Sequence, residues 1–163
     1  MVQKKLVVEN AEIRFRNFSG KETEYNRNGT REFTIFFDEK KAEELEDLGW
    51  AIRWREPVNE GDERKGKLRV TVRFDNYPPK IMLISGKSQT YLDEESVGII
   101  DTAELENVDL VIRPYNWTVN GKSGTKAYLD SGYFTIIEDE LAKKYSSNNE
   151  QQETEVDDDD VPF

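Results

Sequence analysis

Residues 108–137, VDLVIRPYNWTVNGKSGTKAYLDSGYFTII, carry the strongest fold signal in this chain of 163 residues. Apolar and polar side chains alternate along residues 108–119 and again along residues 125–137, as in strands that bury one face. Asn120-Gly121 lies between the two segments and is a strong signal for a tight hairpin turn. The stretch therefore predicts a long β-hairpin.

Upstream of this hairpin, shorter alternating segments predict further strands at residues 5–18, 30–37, 67–75, 80–85 and 88–92, with a brief extended piece at 50–55. A helix is predicted after residues 30–37. Asp38 is a favourable N-cap, Ala42, Leu45 and Leu48 recur at helical spacing, and Gly49 is a stop signal. Residues 138–145 predict a second short helix.

These elements predict an all-β fold that is β-rich with one or two short helices. Several twisted antiparallel strands with a helix among the early ones favour an OB-fold-type small antiparallel barrel. The hydrophobic pattern by itself equally permits a β-sandwich.

The composition excludes several classes of function. The chain contains no cysteine and no histidine, which excludes disulfides, thiolate nucleophiles, zinc sites of the Cys/His kind and histidine acid–base catalysis. Residues 1–9 have no apolar stretch long enough for a signal peptide, and no segment approaches the length of a membrane span. We therefore expect a soluble cytoplasmic protein that needs no cofactor and no metal.

The net charge of −11 is distributed unevenly along the chain. Residues 146–163 contribute −7 and contain no Lys or Arg, so the rest of the chain carries only −4 together with all 23 basic residues. A nearly balanced domain can have a basic face. We expect a folded domain over residues 1–145, a disordered polar linker over 146–156 (SSNNEQQETEV) and an acidic tip over 157–163.

The first strand of the hairpin combines cations and aromatic rings on one face. Leu110 and Ile112 have one parity and suit a core, whereas Arg113, Tyr115 and Trp117 have the other. Single-stranded DNA needs cations for its phosphates and flat rings for its bases, so the second face suits a nucleic-acid groove. The alternative is that Tyr115 and Trp117 are partly buried packing residues.

Across the predicted hairpin, Lys126 and Tyr128 share one parity, and Lys122 lies next to the turn, where it could hold a phosphate. Both lysines could equally be ordinary solvated side chains. Of the two tryptophans at 50 and 54, one is expected in the core, and Trp54 is predicted to be the exposed one.

Four arginines, Arg14, Arg16, Arg69 and Arg73, have outward parity on two predicted strands. They form a basic stripe if the strands are neighbours and scattered surface charge if they are not. The candidate DNA contacts are Arg14, Arg16, Trp54, Arg73, Arg113, Tyr115, Trp117, Lys122, Lys126 and Tyr128.

The last residues of the sequence combine four acids with an apolar ending. They are Asp157, Asp158, Asp159, Asp160, Val161, Pro162 and Phe163. An acidic solubility tail gains nothing from finishing in Val-Pro-Phe, whereas a docking peptide gains a ring for a pocket and a restricted backbone. The acids add steering toward a basic partner surface.

This ending resembles the acidic tip of bacterial and phage single-stranded-DNA-binding proteins, in which several Asp residues precede an apolar-Pro-Phe terminus. The segment 112–129 is similar to phage-encoded members of that group. The resemblance implies sequence-independent binding of single-stranded DNA during replication, recombination and repair. It also implies recruitment of partner proteins through the tip, and it is compatible with a homo-oligomer. Residues of the N-terminal third do not match the common bacterial form, so its tetramer is not carried over.

Two other classes of function are weighed against this interpretation. Asp93-Glu94-Glu95 and Glu138-Asp139-Glu140 could ligate Mg²⁺ in a nuclease, but acids at loops and helix starts are ordinarily caps and solvated charge. An acidic DNA mimic or adaptor would explain the net charge directly. It would not explain why the acidity concentrates after residue 145 while cations and aromatics share the predicted strands.

Overall fold

The computed structural model describes residues 2–24 and 26–137. Within these ranges the chain forms nine strands, helix α1 at Glu39–Leu48 and a 3₁₀ helix at Val97–Asp101. The strands are β1 Leu6–Val8, β2 Glu12–Asn17, β3 Glu32–Phe37, β4 Arg53–Arg55, β5 Lys65–Thr71, β6 Lys80–Ser85, β7 Ser88–Leu92, β8 Leu105–Val119 and β9 Lys122–Ile136. The expected helix at 138–145, linker at 146–156 and tip at 157–163 lie outside the described residues.

The nine strands form one sheet with the order β1-β8-β9-β5-β3-β2, to which β4 adds at β5 and β6 with β7 adds at β9. The all-β class is confirmed. Two details of the expected barrel are wrong. In the described part of the chain the end strands β1 and β2 are not paired, so the sheet is not closed, and β9 pairs in parallel with β5 and β6.

The predicted hairpin of β8 and β9 is confirmed, and strands β1, β5 and β6 all pair with it. Asn120 and Gly121 form the turn with φ of 52° and 79°, and β8 and β9 have 15 residues each. This length lets β5 pair near the start of β9, with Val70 opposite Ala127, and lets β6 pair near its end. Strands β5 and β6 both run parallel to β9, whereas β8 runs antiparallel to it, so the sheet is mixed.

Helix α1 begins and ends where its sequence signals predict. The Asp38 carboxylate accepts a hydrogen bond from the Lys41 backbone N–H at 2.8 Å, and Gly49 ends the helix in the left-handed region at φ 110°. Ala42 and Leu45 are buried, whereas Leu48 is exposed. Ten residues with only two buried positions cannot hold a helix in isolation, so its packing on the sheet stabilises it.

Aromatic rings from distant parts of the chain form the centre of the core. Phe18, Phe33 and Phe134 are fully buried; Phe18 stacks on Phe33 at 5.1 Å between ring centroids and meets Phe134 edge-on at 5.5 Å. Trp50 is also buried, which confirms that one of the two neighbouring tryptophans is core.

Strand β2 departs from the alternation expected for it. The pairing register of β2 with β3 shifts between Arg14 and Asn17, and Phe15 has a φ of 58°. This bulge places Phe15 in solvent, whereas a regular strand with Arg14 and Arg16 outward would direct Phe15 inward and bury it. Arg16 turns inward, and its Nη1 donates to the carbonyls of Ile100 and Ala103 at 2.7 and 2.8 Å. The predicted outward position of Arg16 is therefore wrong.

Candidate nucleic-acid interface

The outer face of the hairpin brings together the cations and rings that share a parity in the sequence. Arg113 lies opposite Tyr128 and Tyr115 lies opposite Lys126 in the register of β8 and β9. The Tyr115 and Tyr128 rings stack at 5.4 Å between centroids with 27° between their planes. Tyr128 is the buried ring of this stack, whereas Tyr115 is about half exposed. The predicted common face is confirmed, with Tyr128 as its floor.

Two arginines and a third tyrosine surround this stack. The guanidinium carbon of Arg113 lies 5.1 Å from the Tyr128 ring centroid and 5.7 Å from that of Tyr77. The guanidinium carbon of Arg73 lies 5.8 Å from the Tyr128 centroid. Tyr77 is 74% exposed. We call these five residues, Arg73, Tyr77, Arg113, Tyr115 and Tyr128, the hairpin cluster.

A carboxylate holds Arg73 at the edge of the hairpin cluster. Asp75 accepts two hydrogen bonds from the guanidinium, one of them from Nε at 3.1 Å and the other from Nη2. These bonds hold the pKa of Asp75 below its ordinary value, and the same bonds, with the Tyr128 hydroxyl, raise the pKa of Arg73. Both groups are therefore charged throughout the neutral pH range.

The other two hairpin candidates lie nearer the turn. The Trp117 ring covers the backbone of Gly124 on β9, where a side chain would bring its Cβ within 2.8 Å of Trp117 Cζ2. Trp117 is consequently half-buried. Lys122 is exposed at the first position of β9, so it is free to move toward a phosphate.

A basic groove of about 440 Å³ lies beside the cluster, and we call it the sheet groove. Its lining includes Arg53 of β4, Lys67 and Arg69 of β5, and Lys126 of β9, against one carboxylate, that of Glu32. Within residues 2–24 and 26–137, none of these four cations forms an ion pair. Positive charge in the groove is therefore available to a ligand.

Strand order explains why the sheet groove and the hairpin cluster are continuous. Thr71 of β5 lies opposite Tyr128, and Arg69, two residues earlier, lies on the same outer face of β5. Lys126 belongs to the groove and lies opposite Tyr115 across the hairpin. Sequence reasoning did not select Tyr77, Arg53 or Lys67 as DNA contacts. The pairing of β4, β5 and β9 places Arg53 and Lys67 on this face, and Tyr77 reaches the cluster from the loop after β5, beside Arg113.

Arg14 also lies on this outer face, but its strand and β5 are not neighbours, so the condition for the basic stripe is not met. Strand β3 separates β2 from β5, so Arg14 faces Thr34 and Thr34 faces Arg69 in one row. The Arg14 guanidinium carbon lies 5.0 Å from the Phe36 ring centroid, and its Nη2 lies 3.2 Å from the Glu12 carboxylate.

Trp54 is more exposed than Trp50, as predicted, but it is not the freely exposed ring that was expected. Trp54 is half-buried, its Nε1 donates to the Glu46 carboxylate at 3.1 Å, and the Arg64 guanidinium carbon lies 3.8 Å from its ring centroid. The helix and Arg64 thus cover the ring, because β4 follows directly after α1 and lies beside it.

Two of the three acidic residues at 93–95 have partners for their carboxylates. Asp93 accepts hydrogen bonds from Ser96 and the Glu95 backbone, and Ser96 holds the pKa of Asp93 below its ordinary value. Glu94 pairs with Arg31 at 3.5 Å. Among the described residues no group of three acids could hold a metal ion, and residues 138–140 lie outside that part. In the same part of the chain, no helix is long and apolar enough to cross a membrane.

Two solved structures share this fold. A C-terminally truncated single-stranded DNA-binding protein from bacteriophage Enc34 has a TM-score of 0.50 at 11% identity, over 83% of this chain and 87% of that chain. The Enc34 protein in complex with ssDNA has a TM-score of 0.50 at 12% identity, over 83% and 88% respectively. At these identities the likeness concerns the fold alone.

Sequence comparison gives the family. No curated protein matches the chain. The family model described as "Putative phage ssDNA-binding domain" matches residues 1–163. The resemblance seen in the tail and the hairpin is thereby confirmed: the chain belongs to the family of phage single-stranded-DNA-binding domains.

Proposed function

We propose that this chain binds single-stranded DNA, irrespective of base sequence, along the hairpin cluster and the adjoining sheet groove. The observation that carries the proposal is the Tyr115–Tyr128 stack with Arg73 and Arg113 beside it. Stacked rings next to cations are what a flexible, charged strand of bases requires. The family, and the Enc34 relative that was solved with ssDNA, support it.

Each part of the hairpin cluster has a distinct task in this proposal. Tyr115 and Tyr77 offer exposed rings to bases, and each stacked base stabilises the complex by about 1–3 kcal/mol. Tyr128 supports Tyr115 from below. Arg73 and Arg113 neutralise phosphates and release counterions, so the affinity falls as salt rises.

The charge of this face argues against the acidic DNA mimic. A mimic presents carboxylates where DNA has phosphates, whereas the sheet groove has four cations and one carboxylate. The net charge of the whole chain comes mainly from residues 146–163.

A finer role is proposed from the sequence alone. We propose that the protein protects single-stranded DNA during replication, recombination and repair in the bacterial cytoplasm. The tip at 157–163 would recruit partner proteins, since four Asp residues before Val-Pro-Phe combine steering charge with an apolar anchor.

Fluorescence anisotropy with a labelled oligo(dT) tests DNA binding. We expect Tyr115→Ala to weaken binding by about 1–3 kcal/mol, because a stacking surface is lost, and Tyr115→Phe to keep most of the affinity. Arg113→Ala should reduce the slope of log affinity against log salt by about 0.7, the value for one phosphate contact on a single strand. Lys40→Ala, an exposed cation on α1, is the matched control.

Absence of oligo(dT) binding by the unmodified chain would refute the function. Equal affinities of the Tyr115→Ala, Arg113→Ala and Lys40→Ala variants would move the site away from the hairpin cluster.

A further inference from the structure

Phe15 is an exposed aromatic residue in a backbone conformation that bulky residues rarely adopt. Its φ is 58° and its side chain is 68% exposed. A bulky residue in the left-handed region is strained, and such strain persists where the surroundings impose it, commonly at binding sites. Phe15 therefore combines two unfavourable features, strain and an exposed ring.

The bulge in β2 explains how Phe15 reaches the surface. Arg16 is fixed inward by its hydrogen bonds to Ile100 and Ala103, so the residue before it is directed to the outer face of the sheet. Phe36 is the aromatic neighbour of Phe15, at 6.2 Å between centroids. Phe36 is also flanked by Arg14 at 5.0 Å and by Arg55 at 5.8 Å, so Phe15 is one of three side chains that surround its ring.

The surroundings of Phe15 match what a nucleotide needs. Phe15 lines the sheet groove, which also contains Arg53, Lys67, Arg69 and Lys126. The groove spans the strands from β9 to β2, three interstrand spacings of about 4.8 Å each, and begins beside the hairpin cluster. The groove thus has an aromatic ring at one end and unpaired cations along its length, which is the combination of groups found in the hairpin cluster.

We propose that Phe15 is a base-stacking residue and that the DNA strand continues from the hairpin cluster through the sheet groove to reach it. Arg53, Lys67, Arg69 and Lys126 contact the phosphates along this path. The inference rests on the proposed function and adds to it a further stacking position, beyond Tyr115 and Tyr77, together with the path of the strand across the sheet.

Three substitutions of Phe15 test the ring separately from the strained backbone. Phe15→Gly removes the ring and also relieves the positive φ, as does Phe15→Asn, because Asn tolerates the left-handed region. Phe15→Trp keeps an aromatic surface. We expect Phe15→Gly and Phe15→Asn to weaken oligo(dT) binding about 10-fold, with a Tm equal to or above that of the unmodified protein, and Phe15→Trp to keep the affinity.

An oligonucleotide with abasic sites throughout identifies the contact as stacking. With this ligand the unmodified protein and Phe15→Gly should bind equally, whereas Arg69→Ala should still weaken binding and flatten its salt dependence. Equal oligo(dT) affinity of the Phe15→Gly and unmodified proteins would overturn the inference. If the Tm of Phe15→Gly were also lowered, the ring would be assigned to packing. If Tyr115→Ala loses affinity in the same assay, the proposed function survives that result.

Discussion

Asp75 opposes the function proposed for its neighbour Arg73. The carboxylate occupies two donors of the guanidinium at the edge of the hairpin cluster and places a negative charge where a phosphate would bind. Because hydrogen bonds from Arg73 hold the pKa of Asp75 below its ordinary value, a moderate change of pH cannot neutralise it. Substitution is the direct way to remove its charge.

At the residue scale we therefore predict that Asp75→Asn tightens oligo(dT) binding several-fold at low salt. The gain should shrink as salt rises, since exposed charges are screened beyond about 10 Å at 0.1 M. Stability should change little, because solvent screens an exposed ion pair and leaves it a small contribution to folding. Anisotropy titrations at two salt concentrations measure the effect, with Glu95→Gln as the matched control for loss of an exposed acid. Weaker binding by Asp75→Asn would instead mean that Asp75 orients Arg73 for the DNA.

Helix α1 and strand β5 approach each other so closely that one position has no room for a side chain. A Cβ at Gly66 would lie 2.3 Å from the Cβ of Ala42 and 3.0 Å from Cγ2 of Ile52. Gly66 is on the buried face of β5, whereas its neighbours Lys65 and Lys67 face outward. The helix contact thus fixes β5, which carries Lys67 and Arg69 to the sheet groove.

At the element scale we predict that Gly66→Ala destabilises the protein by about 1–3 kcal/mol through overpacking. Adding Ala42→Gly should recover part of this loss, because it removes the atom that the new methyl meets, although glycine in a helix itself costs about 1 kcal/mol. Thermal or urea unfolding of the two single variants and the double variant forms the double-mutant cycle. Additive losses would show that the cost of Gly66→Ala does not arise from its contact with Ala42.

The whole molecule separates its charges between two parts of the chain. Residues 146–163 carry −7 of the net −11, while the described domain presents free cations in the sheet groove. Cations hold a polyanion by charge, whereas a docking peptide concentrates its energy in one buried anchor. The proposed DNA binding and the proposed docking of partners should therefore respond to different substitutions.

At the scale of the whole molecule we predict that Phe163→Ala abolishes capture of partner proteins and leaves oligo(dT) affinity unchanged. Phe163 is the only aromatic residue after residue 145, so it is the natural anchor of the tip. Pull-down of replication proteins from the bacterial host measures capture, and Val156→Ala controls for loss of another apolar side chain of the tail. Equal capture by both variants would reduce the tip to a solubilising tail.

Local patterns in the sequence were sufficient for helix α1, for most strands and for the hairpin face, whereas the single strand expected at 5–18 is two strands, β1 and β2, at opposite ends of the sheet. The Asn120-Gly121 turn, the Asp38 cap and the Gly49 stop each depend on residues next to one another, and all three are present in the structure. The common face of Arg113, Tyr115 and Lys126 follows from a period of two along paired strands. The family follows from residues spread over the whole chain.

Tertiary structure alone decided which of these local features meet. The sequence cannot show that β5 pairs with β9, which joins Lys67 and Arg69 to the hairpin cluster, because strand order depends on contacts between distant residues. Nor does alternation reveal the β2 bulge. At this bulge Arg16 donates hydrogen bonds to the carbonyls of residues 100 and 103, and Phe15 turns outward. Backbone neighbours determine turns, caps and parity, whereas pairing and bulges are set by the free energy of the assembled sheet.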